Sequence, residues 1–267
     1  LVKRFKLKNL QQEVNYKIYL KEFPILSTHP IWASIISGKL PEEHGIKTIT
    51  RWKNPVIQYL NEFLSKRLNL LKNTDQISKN ILVSDILRKI GFKKIPWGKD
   101  YWRKKHIATI FDIIKDSIAI SVPTWNEDRV YQLIRKELVM AIGDKKRMKN
   151  LEKLLLRDFN KKKRLLFTTI KRKKYNLVFC YFITLDTIGH MYRGDLGKMK
   201  RFYQLFDGMV KQLRETFQGR IIIISDHGMK KVGNYGDHSR YAFCSFNFFV
   251  ERPKSIVDMF HIITSQS

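Results

Sequence analysis

The sequence predicts an α/β fold in which helices flank a mostly parallel central sheet. Uninterrupted apolar runs at 177–185 and 221–224 are typical of strands buried on both faces. Between them, residues 196–217 carry apolar side chains at helical spacing. A strand, a helix and a second strand in this order form a right-handed parallel crossover. We therefore expect the two strands to be parallel neighbours in the sheet.

Shorter elements are predicted around this unit. A short helix and a strand at 16–20 are expected near the start, and a strand at 241–250 and a helix at 256–264 near the end. Pro30 and the apolar spacing behind it predict a helix that begins near Ser27 or Thr28 and ends at Gly38. We interpret the chain as a single domain, 1–267, with a mainly helical, lysine-rich insertion at about 47–170. Within it we predict a strand at 117–122 and helices at 53–71, 78–90, 128–142 and 145–158.

The chain is strongly basic, with 52 Lys and Arg against 24 Asp and Glu and a net charge of +28. The positive electrostatic field of such a chain attracts anionic substrates and polyanions. The basic residues recur along the whole chain, which favours solvated helix faces over a dedicated nucleic-acid interface. The sequence has no apolar run of membrane-spanning length and no signal peptide. Cys180 and Cys244 lie in apolar runs and are interpreted as free thiols of a cytoplasmic protein.

Carboxylate and imidazole side chains follow both strands of the predicted parallel pair. Asp186 and His190 follow the first strand, and Asp226 and His227 follow the second. Because the carboxyl ends of parallel neighbours meet at one edge, we expect these side chains to converge. His238, in a glycine-rich segment, is expected to fold back over the same edge. Mixed nitrogen and oxygen ligands suit zinc, with manganese and iron as competitors.

Three motifs occur in a specific order along the chain. They are Thr28-x-Pro30-x-Trp32 with Ser37-Gly38-x-x-Pro41-x-x-His44-Gly45-Ile46, Asp-x-x-x-His at 186–190, and Ser-Asp-His-Gly-Met at 225–229. Together they resemble the type I phosphodiesterase/nucleotide pyrophosphatase family of the alkaline phosphatase superfamily. The resemblance covers about 20–46 and 177–250 but not the helical middle. It implies an alkaline-phosphatase-like fold.

The resemblance also implies a metal-dependent hydrolase of phosphate esters, of the phosphodiesterase or nucleotide pyrophosphatase type. The implied cofactors are two divalent metal ions, zinc or alternatively manganese, and the implied substrate is a small, nucleotide-like phosphate ester. Thr28 corresponds to the nucleophile, which forms a phosphoryl-threonine. One ion would be held by Asp186, His190 and His238, and the other by Asp226, His227 and Thr28.

Two features depart from the family pattern. The family begins with a strand that ends in a metal-binding Asp, and residues 1–10 resemble the stretch just after it. We interpret the chain as a fragment that lacks this N-terminal strand, with a degenerate site as the alternative. In addition, Lys47 follows Ile46 where eukaryotic members soon place a phosphate-contacting Asn. We interpret His44 as a structural residue that packs the turn.

Two other functions compete with the diesterase. Related superfamily hydrolases that act on phosphomonoesters or phosphonates reuse similar metal clusters. The second alternative belongs to a different class of function: a catalytically inactive basic module that binds nucleic acid. Binding to nucleic acid that weakens strongly with salt and is unaffected by chelators would favour this second alternative.

Overall fold

The computed structural model describes residues 1–54, 56–58, 89 and 91–265. The chain forms two compact units, one built from Leu1–Lys47 with Gly98–Ser267 and the other from Thr48–Trp97. The larger unit carries every residue predicted for the site. The helices predicted at 53–71 and 78–90 fall mainly outside the described residues.

The larger unit is a mixed α/β structure. Its helices are α1 (Lys8–Gln11), α2 (Thr28–Ser37), α3 (Pro41–His44), α4 (Lys99–Lys105), α5 (Ile110–Ile113), α6 (Arg129–Ala141), α7 (Lys145–Lys171), α8 (Thr184–Tyr192), α9 (Leu196–Thr216) and α10 (Asp258–Thr264). Its strands are β1 (Val14–Tyr19), β4 (Ser117–Ile120), β5 (Leu177–Cys180), β6 (Ile222–Ser225), β7 (Gly228–Val232), β8 (Tyr235–Ser239) and β9 (Tyr241–Phe246). The helices predicted at 128–142 and 196–217 have nearly the expected bounds, whereas the helix predicted at 145–158 extends to Lys171.

The smaller unit contains the two remaining strands, β2 (Thr50–Trp52) and β3 (Lys94–Pro96), which pair antiparallel. Two indoles are almost completely buried inside this unit. The Trp97 Nε1–H donates to the Thr48 carbonyl at 2.7 Å, and the Lys94 Nζ lies 4.7 Å from the Trp52 ring. Each indole thus keeps a polar or cationic partner while its apolar body is removed from water.

The mostly parallel central sheet is not seen in the described residues. One sheet has the antiparallel order β1-β9-β6, and a separate pair, β4 and β5, is parallel. The strands predicted as parallel neighbours, β5 and β6, belong to different sheets. β6 is instead paired with β9, and these two strands are joined only by the β7–β8 hairpin. So short a return places β9 antiparallel beside β6, whereas a parallel partner needs a long crossover.

A second difference concerns the end of the first predicted strand. The strand covers only Leu177–Cys180, and α8 begins at Thr184. Asp186 and His190 therefore lie on a helix rather than in a loop beyond a strand. Their spacing of four residues still places both side chains on one face of that helix.

The core between the N-terminal segment and the long helices is aromatic. Leu7 and Leu10 pack against Phe159 of α7 and Phe206 of α9, whose ring centroids are 4.8 Å apart. Burial of each such side chain stabilises the fold by about 1.5–3 kcal/mol. This cluster holds α7 and α9 in place behind the sheet.

The predicted helix at Pro30 is confirmed as α2, and all ten of its residues are buried. Gly38 ends it with a φ of +67°, a left-handed conformation that glycine adopts without strain. A Cβ on Gly38 would lie 2.8 Å from the Phe260 ring of α10. The helix is thus fixed at its C-terminal end both by backbone conformation and by packing.

Two simple expectations are met in the described residues. Cys180 and Cys244 are both free thiols, the first half-buried and the second buried. None of the helices that the structure describes has both the length and the apolar character needed to cross a bilayer.

His44 closes the turn behind α2, as the structural interpretation requires. Its ring is fully buried, its Nδ1 accepts the Ile46 N–H at 3.0 Å, and its Nε2 lies 3.1 Å from Ser34 Oγ. Because Nδ1 is an acceptor, the proton of the neutral ring resides on Nε2 and is donated to Ser34. Burial lowers the pKa of His44 from its ordinary 6.5 to about 4.

This burial predicts a pH-dependent contribution to stability. Between pH 6.5 and about pH 4, His44 is protonated in the unfolded chain but stays neutral in the folded chain. The contribution of the neutral His44 to the free energy of unfolding is complete above pH 6.5 and falls by about 3 kcal/mol as the pH is lowered towards 4. His44→Asn keeps an acceptor for Ile46 but removes the titration, so its urea unfolding free energy should fall less over this range. If the unfolding free energies of the parent and His44→Asn changed equally with pH, the lowered pKa of His44 would be contradicted.

Candidate metal centre

Five of the six predicted site residues meet in one cluster centred on Asp186. Its Oδ1 lies 3.5 Å from His190 Nε2, 3.6 Å from His227 Nε2 and 3.5 Å from His238 Nε2. Asp226 joins through His227, whose Nε2 lies 3.4 Å from Asp226 Oδ2. The ligand atoms of Asp186, His227 and His238 all lie within 4.8 Å of one another.

Three elements supply these residues. Asp186 and His190 project from successive turns of α8, while Asp226 and His227 follow directly on β6. His238 lies on β8, opposite Met229 of β7, and not in a free loop as the sequence suggested. The convergence was predicted, but it is the hairpin and the helix that produce it, since β5 and β6 are not paired.

Each imidazole of the cluster is oriented by a backbone carbonyl. His190 Nδ1 lies 3.0 Å from the Gly236 oxygen, His238 Nδ1 lies 3.0 Å from the Leu26 oxygen, and His227 Nδ1 lies 3.1 Å from the Gly228 oxygen. A carbonyl oxygen only accepts, so the Nδ1 atoms carry the protons. Each neutral ring then directs the lone pair of Nε2 into the cluster, which is how histidine ligands are prepared for a metal.

The hydrogen-bond acceptors that converge in the cluster would be stabilised by a positive charge between them. The Nε2 atoms of His190 and His238 are only 3.0 Å apart, and both face Asp186 Oδ1. Among the described residues, Asp186 Oδ1, Asp226 Oδ2 and His227 Nε2 are buried without a hydrogen-bond partner. Unpaired acceptors packed this closely repel unless a proton or a cation lies between them. The residues therefore fit a divalent metal with mixed nitrogen and oxygen ligands.

The two carboxylates respond differently to the same surroundings. Burial acts to raise the pKa of Asp186, but the adjacent His238, His227 and His190 rings outweigh it whenever they are protonated and hold the pKa at about 2. Burial raises the pKa of Asp226 above its ordinary value, since protonation of His227 would compensate only partly. Asp226 is thus a carboxylate whose ionised form is stabilised once a cation is nearby.

Two glycines let the hairpin approach α8. A Cβ on Gly236 would collide with the Gly189 carbonyl oxygen and would lie 2.8 Å from Met229 Cγ. A Cβ on Gly189 would lie 2.7 Å from Met229 Cε. The close approach of β8 to α8 is what brings His238 to Asp186, and only residues without a side chain permit it.

Thr28, the predicted nucleophile, is close in the chain to a residue that contacts this cluster. It is the first residue of α2 and is buried. Two residues before it, the Leu26 carbonyl accepts from His238. A helix of ten residues starts here, so its first backbone N–H groups and its dipole favour an anion. The described contacts do not include a direct bond between Thr28 and the cluster.

Sequence reasoning missed several groups around the site. The backbone carbonyls of Leu26, Gly228 and Gly236 could not be predicted, because every residue has a carbonyl. The glycines at 228 and 236 do, however, indicate places where the backbone comes close to another segment. Glu127 was also missed. Its Oε1 lies 2.6 Å from the Nε2 of His29, the buried neighbour of Thr28. No pattern in the sequence links these two residues, since they come from separate elements.

Comparison with known proteins yields one curated relative of note. A stretch of 84 residues is 27% identical to GPI ethanolamine phosphate transferase 2 of Kluyveromyces lactis. This stretch is 31% of the present chain and spans only 11% of the length of that relative. No solved structure matches the chain.

The family comparison covers far more of the sequence. The profile of the type I phosphodiesterase/nucleotide pyrophosphatase family matches residues 5–244, which include the helical middle as well as the motifs at both ends. The predicted resemblance is confirmed. The chain belongs to the type I phosphodiesterase/nucleotide pyrophosphatase family.

Proposed function

We propose that the protein is a metal-dependent phosphodiesterase that uses Thr28 as its nucleophile and two divalent metal ions, most simply zinc. The observation that carries the proposal is the convergence of three imidazole Nε2 atoms on one carboxylate oxygen, each 3.5–3.6 Å from Asp186 Oδ1. Family membership supports phosphate-ester chemistry at this cluster.

The residues divide between the two ions as the family resemblance implies. Asp186, His190 and His238 would hold one, and Asp226, His227 and Thr28 would hold the other. When bound, the two ions would supply Lewis acidity and charge neutralisation for an in-line displacement at phosphorus. The buried acceptors of Asp186 and Asp226 support this division, because each ion would satisfy at least one of them.

Thr28 performs the first half of the reaction. Its Oγ forms a bond to phosphorus while the bond from phosphorus to the leaving oxygen breaks. The Thr28 proton passes to solvent, and the departing alkoxide is protonated in turn. The N-terminal backbone of α2 favours both the Thr28 alkoxide and the incoming phosphate. The product is a phosphodiester in which Thr28 Oγ has replaced the departed alcohol and the second ester group stays on phosphorus.

The second half releases the remaining phosphomonoester from Thr28. Water adds to phosphorus, the bond to Thr28 Oγ breaks, and Thr28 recovers its proton. If an alcohol competes with water, the same intermediate transfers its phosphate group, with the remaining ester group, to that alcohol and forms a new phosphodiester. The 84-residue match to a phosphate transferase favours this transfer as a second candidate activity. The ratio of glycerol phosphodiester to phosphomonoester, formed in the presence of glycerol, separates the two activities.

Removal of the nucleophile provides the direct test. Thr28→Ala should lower kcat for hydrolysis of bis(p-nitrophenyl) phosphate by the zinc-loaded protein on the order of 10³-fold or more, since no phosphoryl-enzyme can form. Ser27→Ala is the matched control, because the Ser27 side chain makes no capping hydrogen bond to α2. Its activity should stay within a few-fold of the parent. Equal kcat values for the parent and Thr28→Ala would mean that water attacks phosphorus directly.

The hairpin contact provides a second test through metal content. Gly236→Ala places a methyl group against the Gly189 carbonyl and pushes β8, with His238, away from Asp186. We expect zinc affinity to fall by about 10- to 100-fold, the usual effect of disturbing groups that orient a ligand. Gly208→Ala on α9 is the control, because a Cβ there meets no atom within 4 Å and the helical backbone accepts alanine without strain. Calorimetric zinc titration decides the matter, and unchanged affinity in Gly236→Ala would contradict the role of the close approach.

A further inference from the structure

A cavity of about 460 Å³ opens directly beside the metal cluster. His238 forms part of its wall, so the cavity and the cluster share a side chain. The loop before α2 contributes Pro24 and Leu26, and the hairpin and the start of β9 contribute Lys230, Asp237, Arg240 and Tyr241. None of the proposed chemistry uses this space.

The charged groups of this cavity already make polar contacts, but only Lys230 and Asp237 neutralise each other. Lys230 Nζ lies 3.1 Å from Asp237 Oδ2, so the two charges cancel. The Arg240 guanidinium donates to the carbonyls of Phe23 at 2.9 Å and Pro24 at 3.2 Å. Arg240 thereby holds the loop before α2 in position. A second phosphate group entering the cavity would have to displace these contacts and would meet the Asp237 carboxylate.

The remaining lining is apolar or aromatic except for Ser239. It consists of Pro24, Leu26, Ser239 and Tyr241. Tyr241 is 53% exposed and packs against Tyr19, which is 49% exposed, with ring centroids 5.3 Å apart. A tyrosine pair left this open to water offers a ready stacking surface, because its apolar faces gain by being covered.

We propose that this cavity binds an uncharged apolar or aromatic ester group of the substrate. The proposal rests on the function proposed above and narrows it to phosphodiesters of such alcohols rather than nucleoside polyphosphates. The position supports the assignment, since Leu26 lies two residues before Thr28 and its carbonyl binds the ligand residue His238. We therefore expect that one ester group on a phosphorus atom held at the cluster enters the cavity that His238 and Tyr241 both line.

Steady-state kinetics of the zinc-loaded protein test the substrate class. The parent should cleave bis(p-nitrophenyl) phosphate with a kcat/KM at least about tenfold above that for the pyrophosphate bonds of ATP. Tyr241→Ala should raise KM for the diester about five- to tenfold and leave kcat nearly constant, as loss of one stacking contact predicts. Phe249→Ala is the control, since this residue is 83% exposed and lies outside the cavity.

Asp237→Asn tests the charge argument. Asn keeps an acceptor for the His238 N–H, which Asp237 Oδ1 now accepts at 2.7 Å, but it leaves Lys230 without its counter-charge. The ratio of ATP to diester kcat/KM should rise several-fold in this variant. An ATP preference in the parent, or a Tyr241→Ala protein with unchanged KM, would overturn the inference.

A binding measurement separates failure of the cavity assignment from failure of the hydrolase. Diphenyl phosphate is titrated into zinc-loaded Thr28→Ala protein with and without Tyr241→Ala. Binding that weakens about five- to tenfold on loss of Tyr241 supports the cavity even if the parent hydrolyses nothing. If the parent hydrolyses the diester but the affinity for diphenyl phosphate is the same with and without the Tyr241 side chain, the cavity assignment is wrong and the proposed hydrolase activity still holds.

Discussion

Three imidazole rings aim their unprotonated nitrogens at one carboxylate oxygen, and this crowding of acceptors is the constraint on which the site depends. Left alone, the arrangement is unfavourable, because lone pairs only 3.0–3.6 Å apart repel one another. It persists because each ring is fixed at its other nitrogen by a backbone carbonyl. The fold thus supplies the strain, and a bound cation would relieve it. Preparation of ligands in this way is the usual means by which a protein sets metal affinity.

The fold serves this arrangement in an unexpected manner. Rather than two parallel strands presenting their ends at one edge, a helix carries Asp186 and His190, and a hairpin carries His238. The hairpin reaches the helix because glycines stand at both sides of the contact. Arg240 at the end of the hairpin also ties down the loop that leads to Thr28. The same short segment therefore positions a metal ligand, the approach to the nucleophile and one wall of the neighbouring cavity.

Much of this was accessible from the sequence, and the missing part has a physical explanation. The Asp and His residues stood out because several ligand types recur after apolar runs, and the order of the motifs identified the family. The long helices were also predictable, since α6, α7 and α9 are strongly amphipathic. Strand pairing was not, because an apolar run such as Ile222–Ile224 fits an antiparallel partner as well as a parallel one. The helical conformation at Asp186 and the contact of Glu127 with His29 depend on tertiary neighbours that no local pattern encodes.

The bond from His238 to the Leu26 carbonyl joins residues 212 positions apart. Pairing of β1 with β9 spans a similar distance along the chain. The cluster is therefore complete only when segments far apart in the sequence have met, and closing so long a loop is costly in chain entropy. A cation bound between these side chains would hold the hairpin to the loop before α2, so that its loss would destabilise both segments together.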